Sequence, residues 1–224
     1  MKKILKLSVF GLVTVVALNV QAQESSSWSA GVDLVSNYIW RGSKFGTGPA
    51  MQPSIEFSSG GFAAGAWGSY SFNENEAAEA DLYASYSFTL SEQASLTFTF
   101  TDYYFPGEQS ENKYFNGEAH NFEPMVGLTV GNLSLTGAYM TNKSGKMDIS
   151  DTYVEAGYSA GKVDLTVGAG NGAYTTDGDF DLCNIGVSTS KEIKITDSFS
   201  IPVTGSVILN PSSEQLYVVV GISL

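Results

Sequence analysis

Carboxylates recur on one side of strand-like stretches. Asp33, Glu56, Glu79, Asp81, Glu123, Glu155 and Asp164 each occupy the polar position of an alternating polar–apolar run. Acids on one face of a sheet would attract cations and repel anions along a wet passage. Arg41 is the only arginine and falls on the same parity, at the top of the first run. Its guanidinium could pair with an inward acid, for example Glu79 or Asp81, as a structural salt bridge or as one side of a constriction. Trp67, Tyr83, Tyr103, Tyr153 and Tyr217 share that face. Such rings either form a track for sugar or nucleoside rings or simply fill a small interior.

Other groups point less far. His120 is the only histidine, and Asn121 follows it, but no nucleophile motif accompanies it. Catalysis would need that ring beside a serine or an acid, and no enzyme activity is expected. Asp177-Gly178-Asp179-Phe180-Asp181 has alternating acids but lacks the following glycine and the distal glutamate of an EF-hand. An acidic surface loop is the simpler reading, and no metal or cofactor is expected. Gly168-Ala169-Gly170-Asn171-Gly172 has the wrong spacing for a dinucleotide fingerprint. Cys183, the single cysteine, falls on the apolar parity and cannot form an internal disulfide.

The elements that carry these groups are strands. Period two persists almost to the last residue, while no stretch holds a 3.6-residue period. Trp28, Ala30, Val32, Leu34, Ser36, Tyr38 and Trp40 alternate with a set that includes Ser29, Gly31, Asp33 and Asn37. Ala80, Leu82, Ala84, Tyr86, Phe88 and Leu90 alternate with Glu79, Asp81, Tyr83, Ser85, Ser87 and Thr89. Twelve such runs fit, each about nine to eleven residues long, enough for a tilted strand to cross a bilayer. Short turns at 58–61, 91–93, 131–132 and 160–162, with a longer link at 191–198, alternate with polar loops at 41–50, 73–78, 106–119, 141–150, 171–181 and 210–215. The expected fold is an all-β, closed antiparallel transmembrane barrel of about twelve strands, with short periplasmic turns and longer extracellular loops. Strands about 4.8 Å apart at the usual tilt would close a backbone cylinder roughly 24 Å across.

Alternation does not say which face points outward. Aromatic placement and the acids favour apolar-out. Tyr38, Trp40, Tyr70, Phe72, Tyr104, Phe122 and Tyr139 gather at the long-loop rim. Trp28, Phe57, Phe62, Phe88, Tyr158 and Phe199 gather at the short-turn rim. Two aromatic girdles suit a membrane barrel, and mid-strand acids need a wet lumen. The N-terminus reads as an export signal: Lys2, Lys3 and Lys6, an apolar run Leu7 to Val20, and small residues ending at Ala22. This predicts a cleaved segment 1–22 and a barrel over 23–224, exported to the outer membrane of a Gram-negative bacterium. The net charge is −12, and loss of those lysines takes it three units lower, which argues against nucleic acid and anionic lipid as partners. Expected partners are outer-membrane lipid and lipopolysaccharide, the barrel-assembly machinery and small solutes. Ala30, Ala64 and Ala66 on the apolar face would permit a homo-oligomer.

The stretch from Ser36-Asn37-Tyr38-Ile39-Trp40-Arg41-Gly42, through Gly48-Pro49-Ala50-Met51-Gln52, Gly61 to Ser69 and Glu79 to Tyr83, to Tyr103-Tyr104-Phe105-Pro106 resembles the TorF-type porins, also called Gcw_chp. Ser43-Lys44-Phe45 departs from the Ser-Gln pair usual there. The resemblance covers roughly residues 30 to 106 and implies a porin-like barrel, without naming a solute. The combined expectation is passive diffusion of small hydrophilic, preferably cationic or neutral, solutes; the rival is a filled, non-conducting barrel with a ligand-binding or structural role.

Overall fold

Alternation at period two lets one face of a strand meet water and the other an apolar phase, and the computed structural model closes such strands into one barrel. It describes residues 26–73, 76, 78–106, 113–116, 119–142, 150–197 and 199–224. The expected signal segment 1–22 lies outside them, as do parts of the loops at 106–119 and 141–150.

Twelve antiparallel strands form the wall. They are β1 (Ser27–Val35), β4 (Ala50–Ser59), β5 (Phe62–Ser71), β6 (Glu79–Ser91), β7 (Ala94–Tyr104), β8 (His120–Val130), β9 (Leu133–Asn142), β10 (Ser150–Ala160), β11 (Val163–Gly170), β12 (Asp181–Lys194), β13 (Ser200–Asn210) and β14 (Gln215–Ser223). Each pairs with its sequence neighbour in the wall, and β1 meets β14 to close it. Short β-turns on one rim and longer loops on the other follow the expected asymmetry, although β12 runs on to Lys194 and shortens the expected link there. Direct pairs share a face. Leu82 with Ala66, Phe98 with Tyr86 and Val167 with Ile185 look outward; Leu82, Phe98, Tyr86 and Val167 stand exposed, and Ala66 and Ile185 are half-buried. Glu56 with Gly65, Asp81 with Tyr103 and Thr101 with Glu123 look inward.

The first run departs from expectation. Its wall strand stops at Val35, not at Trp40. Tyr38–Trp40 (β2) and Ser43–Phe45 (β3) form a separate two-stranded hairpin. Tyr38, Ile39 and Arg41 are buried. Tyr38 packs on Trp67 of β5, and Trp40 on Tyr103 of β7. These rings therefore sit inside the barrel and are not rim aromatics, because the chain turns inward after Val35 and carries the hairpin into the lumen. The loop expected at 41–50 is in part this hairpin. Its turn, Arg41-Gly42, has φ of 50° and 82°, the pair of positive values that a two-residue type I′ hairpin requires.

Cys183 is a second departure: it is fully buried and inward, not on the apolar outer face. A register shift between Gly168 and Ala169 sets Asn184 and Leu182 opposite them, leaving Cys183 as the extra residue of a β-bulge. A bulge re-aims its residue and breaks the parity that sequence pattern relies on. The hairpin tip lands there: a Cβ on Gly42 would run into the Cys183 carbonyl.

The interior core lies in the half of the lumen near the long loops. Tyr153, Tyr174, Met125, Ala138 and Cys183 cluster there against Trp40. Tyr153 of β10 packs over Gly168 of the adjacent strand β11, where a Cβ would stand 2.7 Å from the ring's Cζ. Gly168→Ala should therefore lower stability by about 1–3 kcal/mol, whereas Gly205→Ala, with open space around it, should change little. Thermal midpoints from gel mobility of the folded barrel would check this; equal midpoints would mean the ring has room to move.

Candidate functional site: an arginine clamp inside the barrel

A single guanidinium organises the interior. The hairpin turn places Arg41 in mid-lumen, where its side chain is 2% exposed and that of its partner Glu123 is 1% exposed. Nη1 donates to Glu123 Oε2 at 2.5 Å and Nη2 to Oε1 at 2.9 Å, a bidentate pair. Nη1 also donates to the Tyr174 hydroxyl at 2.6 Å, and the Tyr103 hydroxyl donates to Glu123 Oε1 at 3.1 Å. The guanidinium carbon lies 4.5 Å from the ring centroids of both Trp40 and Tyr153, so aromatic faces close the cation's other sides. A long side chain held in the left-handed region costs about 1–2 kcal/mol, so the clamp must outweigh that strain.

Three barrel segments supply the partners. Glu123 comes from β8, Tyr103 from β7, and Tyr174 from the 3-10 turn Gly172–Tyr174 that enters the lumen between β11 and β12. Asn210 of β13 donates to the Gly42 carbonyl at 3.2 Å. The hairpin thus spans the lumen and is held on several sides. Its outer leg is tied as well: Thr47 donates through its backbone N–H to Glu76 Oε1 at 2.8 Å, and Asn73 donates to the Thr47 hydroxyl at 2.8 Å. The hydroxyls of Ser71 and Thr47 favour the charged form of Glu76 and hold its carboxyl down at about 2. The tie is therefore complete at neutral pH and is lost only as pH falls toward that value.

The sequence-derived acids divide into two groups. Glu79 and Asp81 are buried beside the hairpin, with Asp81 Oδ1 unpartnered among the described residues. Arg41 pairs with neither of them but with Glu123, because the inward fold carries it past β6 to β8. The second group is more open. Glu56 accepts from the Tyr83 hydroxyl at 2.8 Å, and Asp164 accepts from Ser159 at 2.7 Å. Glu155 accepts from Tyr153 at 2.6 Å and from Asn184 at 3.2 Å. Asp33 faces inward opposite Ser223 and Gln52. Trp67 supports Tyr38. Beneath the hairpin lies a cavity of about 230 Å³ of mixed character, with Glu155, Asp164, Asn184, Thr136, Thr166 and Ser206 beside apolar residues in its wall and Ile39, Arg41 and Gly42 at its hairpin side.

His120 sits outside this site. Its Nδ1 lies 2.7 Å from Asp102, and its Nε2 lies 2.6 Å from the Tyr114 carbonyl. A carbonyl only accepts, so Nε2 carries a proton and is no base toward a serine. In the 177–181 loop, Asp177 accepts from the Asp179 N–H and Asp181 from the Leu182 N–H; these two acids serve the backbone. Tyr174 and the Cys183 bulge are parts of the site that sequence reading missed. Nothing local marks either, although Tyr174 does lie in a glycine-rich loop.

Removing one member of a buried pair strands the other. Glu123→Ala should cost about 3–5 kcal/mol, Arg41→Lys should not restore full stability because a lysine cannot make the bidentate contact, and Arg41→Met with Glu123→Leu should recover much of the loss. Urea midpoints of refolded protein would test this series; additive losses in the double variant would refute a coupled clamp.

No curated protein sequence matches this chain. Two crystal structures of the Pseudomonas aeruginosa outer membrane protein OprD are similar, at 11% and 12% identity and TM-scores of 0.39 and 0.37. The alignments cover 88% and 87% of this chain, and the chain spans 66% and 65% of the OprD lengths. A family model described as "Bacterial protein of unknown function (Gcw_chp)" matches residues 19–197. With that match running from before β1 to beyond β12, the chain belongs to the Gcw_chp family.

Proposed function

We infer that the protein is a porin-type barrel of a bacterial outer membrane that passes small hydrophilic, preferably cationic or neutral, solutes by diffusion. One observation carries the reading: the wall turns large apolar side chains outward on every side while its acids face a polar lumen. A soluble barrel would bury the apolar face, whereas a barrel in lipid needs an apolar belt. Trp28, Phe62, Phe88, Tyr158 and Phe199 at one rim and Tyr70, Phe72 and Tyr139 at the other are exposed, as interface aromatics would be. In this reading residues 1–22 are a cleaved export signal, the folded barrel begins after Ala22, and the partners are lipid, lipopolysaccharide and the assembly machinery. The TorF-type resemblance agrees with it.

Charge preference would come from Glu56, Glu155 and Asp164, since Glu123 is neutralised by Arg41. A second reading has its own support: the buried clamp fills the upper lumen, which suits a non-conducting barrel with a cavity open on one side. Bilayer recording separates the two. The channel reading expects discrete openings of refolded mature protein with a cation-selective reversal potential under a salt gradient. The triple change Glu56→Gln, Glu155→Gln, Asp164→Asn should move that potential toward zero. A heat-modifiable barrel that never opens would refute the porin reading in favour of the filled barrel.

A further inference from the structure

The seam between β1 and β14 is unfinished. Its ladder runs from Asp33–Ser223 to Val35–Gly221, extended below by the reciprocal Val32–Leu224 backbone bonds and above by Ser36 N–H to the Val220 carbonyl at 2.8 Å and Val220 N–H to the Ser36 hydroxyl at 3.0 Å. Val220 presents its backbone groups toward β1, so by period two Val218 and Leu216 do as well. Among the described residues, the ladder of β14 above Val220 is with β13, and no hydrogen bond reaches the backbone groups of Leu216 or Val218 from the β1 side. Their side chains are 63% and 64% exposed. An open edge in an apolar surround is costly.

The segment that would complete the seam is the one folded inside. Period two breaks at Val35-Ser36, where the chain bends, but Tyr38 and Trp40 return to the outward parity of Trp28 to Leu34. Continuing the β1–β14 register sets Tyr38 opposite Val218 and Trp40 opposite Leu216. The β2–β3 hairpin, Tyr38 paired with Phe45, is in effect the upper end of the β1–β4 hairpin bent into the lumen after Val35 and Ala50. Local pattern and unpaired edge thus specify a second place for the same residues.

We propose that the β2–β3 hairpin is a gate that exchanges between the lumen, held by the Arg41–Glu123 clamp, and the wall, where Tyr38 and Trp40 add to β14 and leave the lumen open. The exchange is balanced. Leaving the lumen gives up the clamp and the ring packing, and relieves the left-handed backbone at Arg41. Entering the wall pairs the free backbone of Val218 and Leu216. Neither charge is stranded, because Glu123 then faces water in an open lumen and Arg41 reaches the long-loop rim. Two glycines, Gly46 and Gly48, lie between β3 and β4 where the second leg must bend. The gate rests on the channel reading above.

The test is a cross-link that only the wall position allows. In the inward position Tyr38 lies against Trp67, whereas Val218 points outward; as opposed strand residues their Cα atoms would be about 5.5 Å apart, within disulfide range. Tyr38→Cys with Val218→Cys, in a Cys183→Ser background, is refolded as full mature barrel in liposomes and oxidised, with Trp40→Cys and Leu216→Cys as a second pair in case one ring is needed for folding. A disulfide should form, roughly tenfold faster or more when Glu123→Gln weakens the clamp, and the oxidised barrel should conduct continuously until reduced. Folded, heat-modifiable barrels in which neither pair cross-links, even with Glu123→Gln, would overturn the gate. So would cross-linked barrels with unchanged conductance. Openings without a cross-link would sink the gate and leave the channel standing; a silent barrel that never cross-links would sink both.

Discussion

A cation inside a barrel must be neutralised where it lies, and the upper interior is built around that requirement. Arg41 can sit in mid-lumen only because Glu123 takes both of its terminal nitrogens, while Tyr174 and the Trp40 and Tyr153 rings replace the water it loses. Each of those partners is fixed in turn. Tyr153 packs over Gly168, and Tyr174 arrives on a 3-10 turn. The Cys183 bulge shapes the wall where the Gly42 tip docks. Remove the ion pair and the hairpin loses its reason to prefer the interior.

The wall was legible in the sequence because its cause is local. Alternation is read residue by residue, and an acid such as Asp81 or Glu155 among outward Leu82 and Val154 tells which face meets water. Strand number and the alternation of short turns with long loops follow from the same pattern. The interior was not legible for the same reason. Val35 and Ser36 break the alternation for only two residues before Tyr38 and Trp40 resume the outward parity, so a single strand is its natural reading. What bends it at Ser36 is a contact between residues 82 positions apart, and a contact of that separation leaves no local signature. Arg41 was recognisable as the unusual charge; its partner was not, since Glu79, Asp81 and Glu123 share the same parity. Cys183 illustrates a related limit, in which one inserted residue reverses every parity inference beyond it.

The acids acquire different meanings once the clamp is known. A census of inward carboxylates treats them as one field, yet Glu123 is spent on Arg41, and Glu79 and Asp81 are shut in beside the hairpin. Glu155 and Asp164, with their hydroxyl neighbours, line the cavity of about 230 Å³ beneath the hairpin, and Glu56 is held by the Tyr83 hydroxyl. In the porin reading, selectivity and occlusion would fall to different halves of one tube. Changes to the clamp should act on whether the tube is open, and changes to the lower acids on what it prefers.

The misreading of the first strand is itself informative. A sequence satisfies one structure most cheaply when local preference and tertiary contact agree. Here they disagree over Tyr38 and Trp40: period two assigns the pair to the outer surface, the clamp assigns them to the interior, and the edge of β14 stands unpaired where the local preference would have put them. A sequence with no use for the outward position would have no reason to keep both rings on its parity. A sequence with no use for the inward one would have no reason to place its only arginine, in a left-handed conformation, against the one acid that can hold it. Conflict of this kind, with each side supported by its own interactions, is what two nearly balanced positions of one segment require.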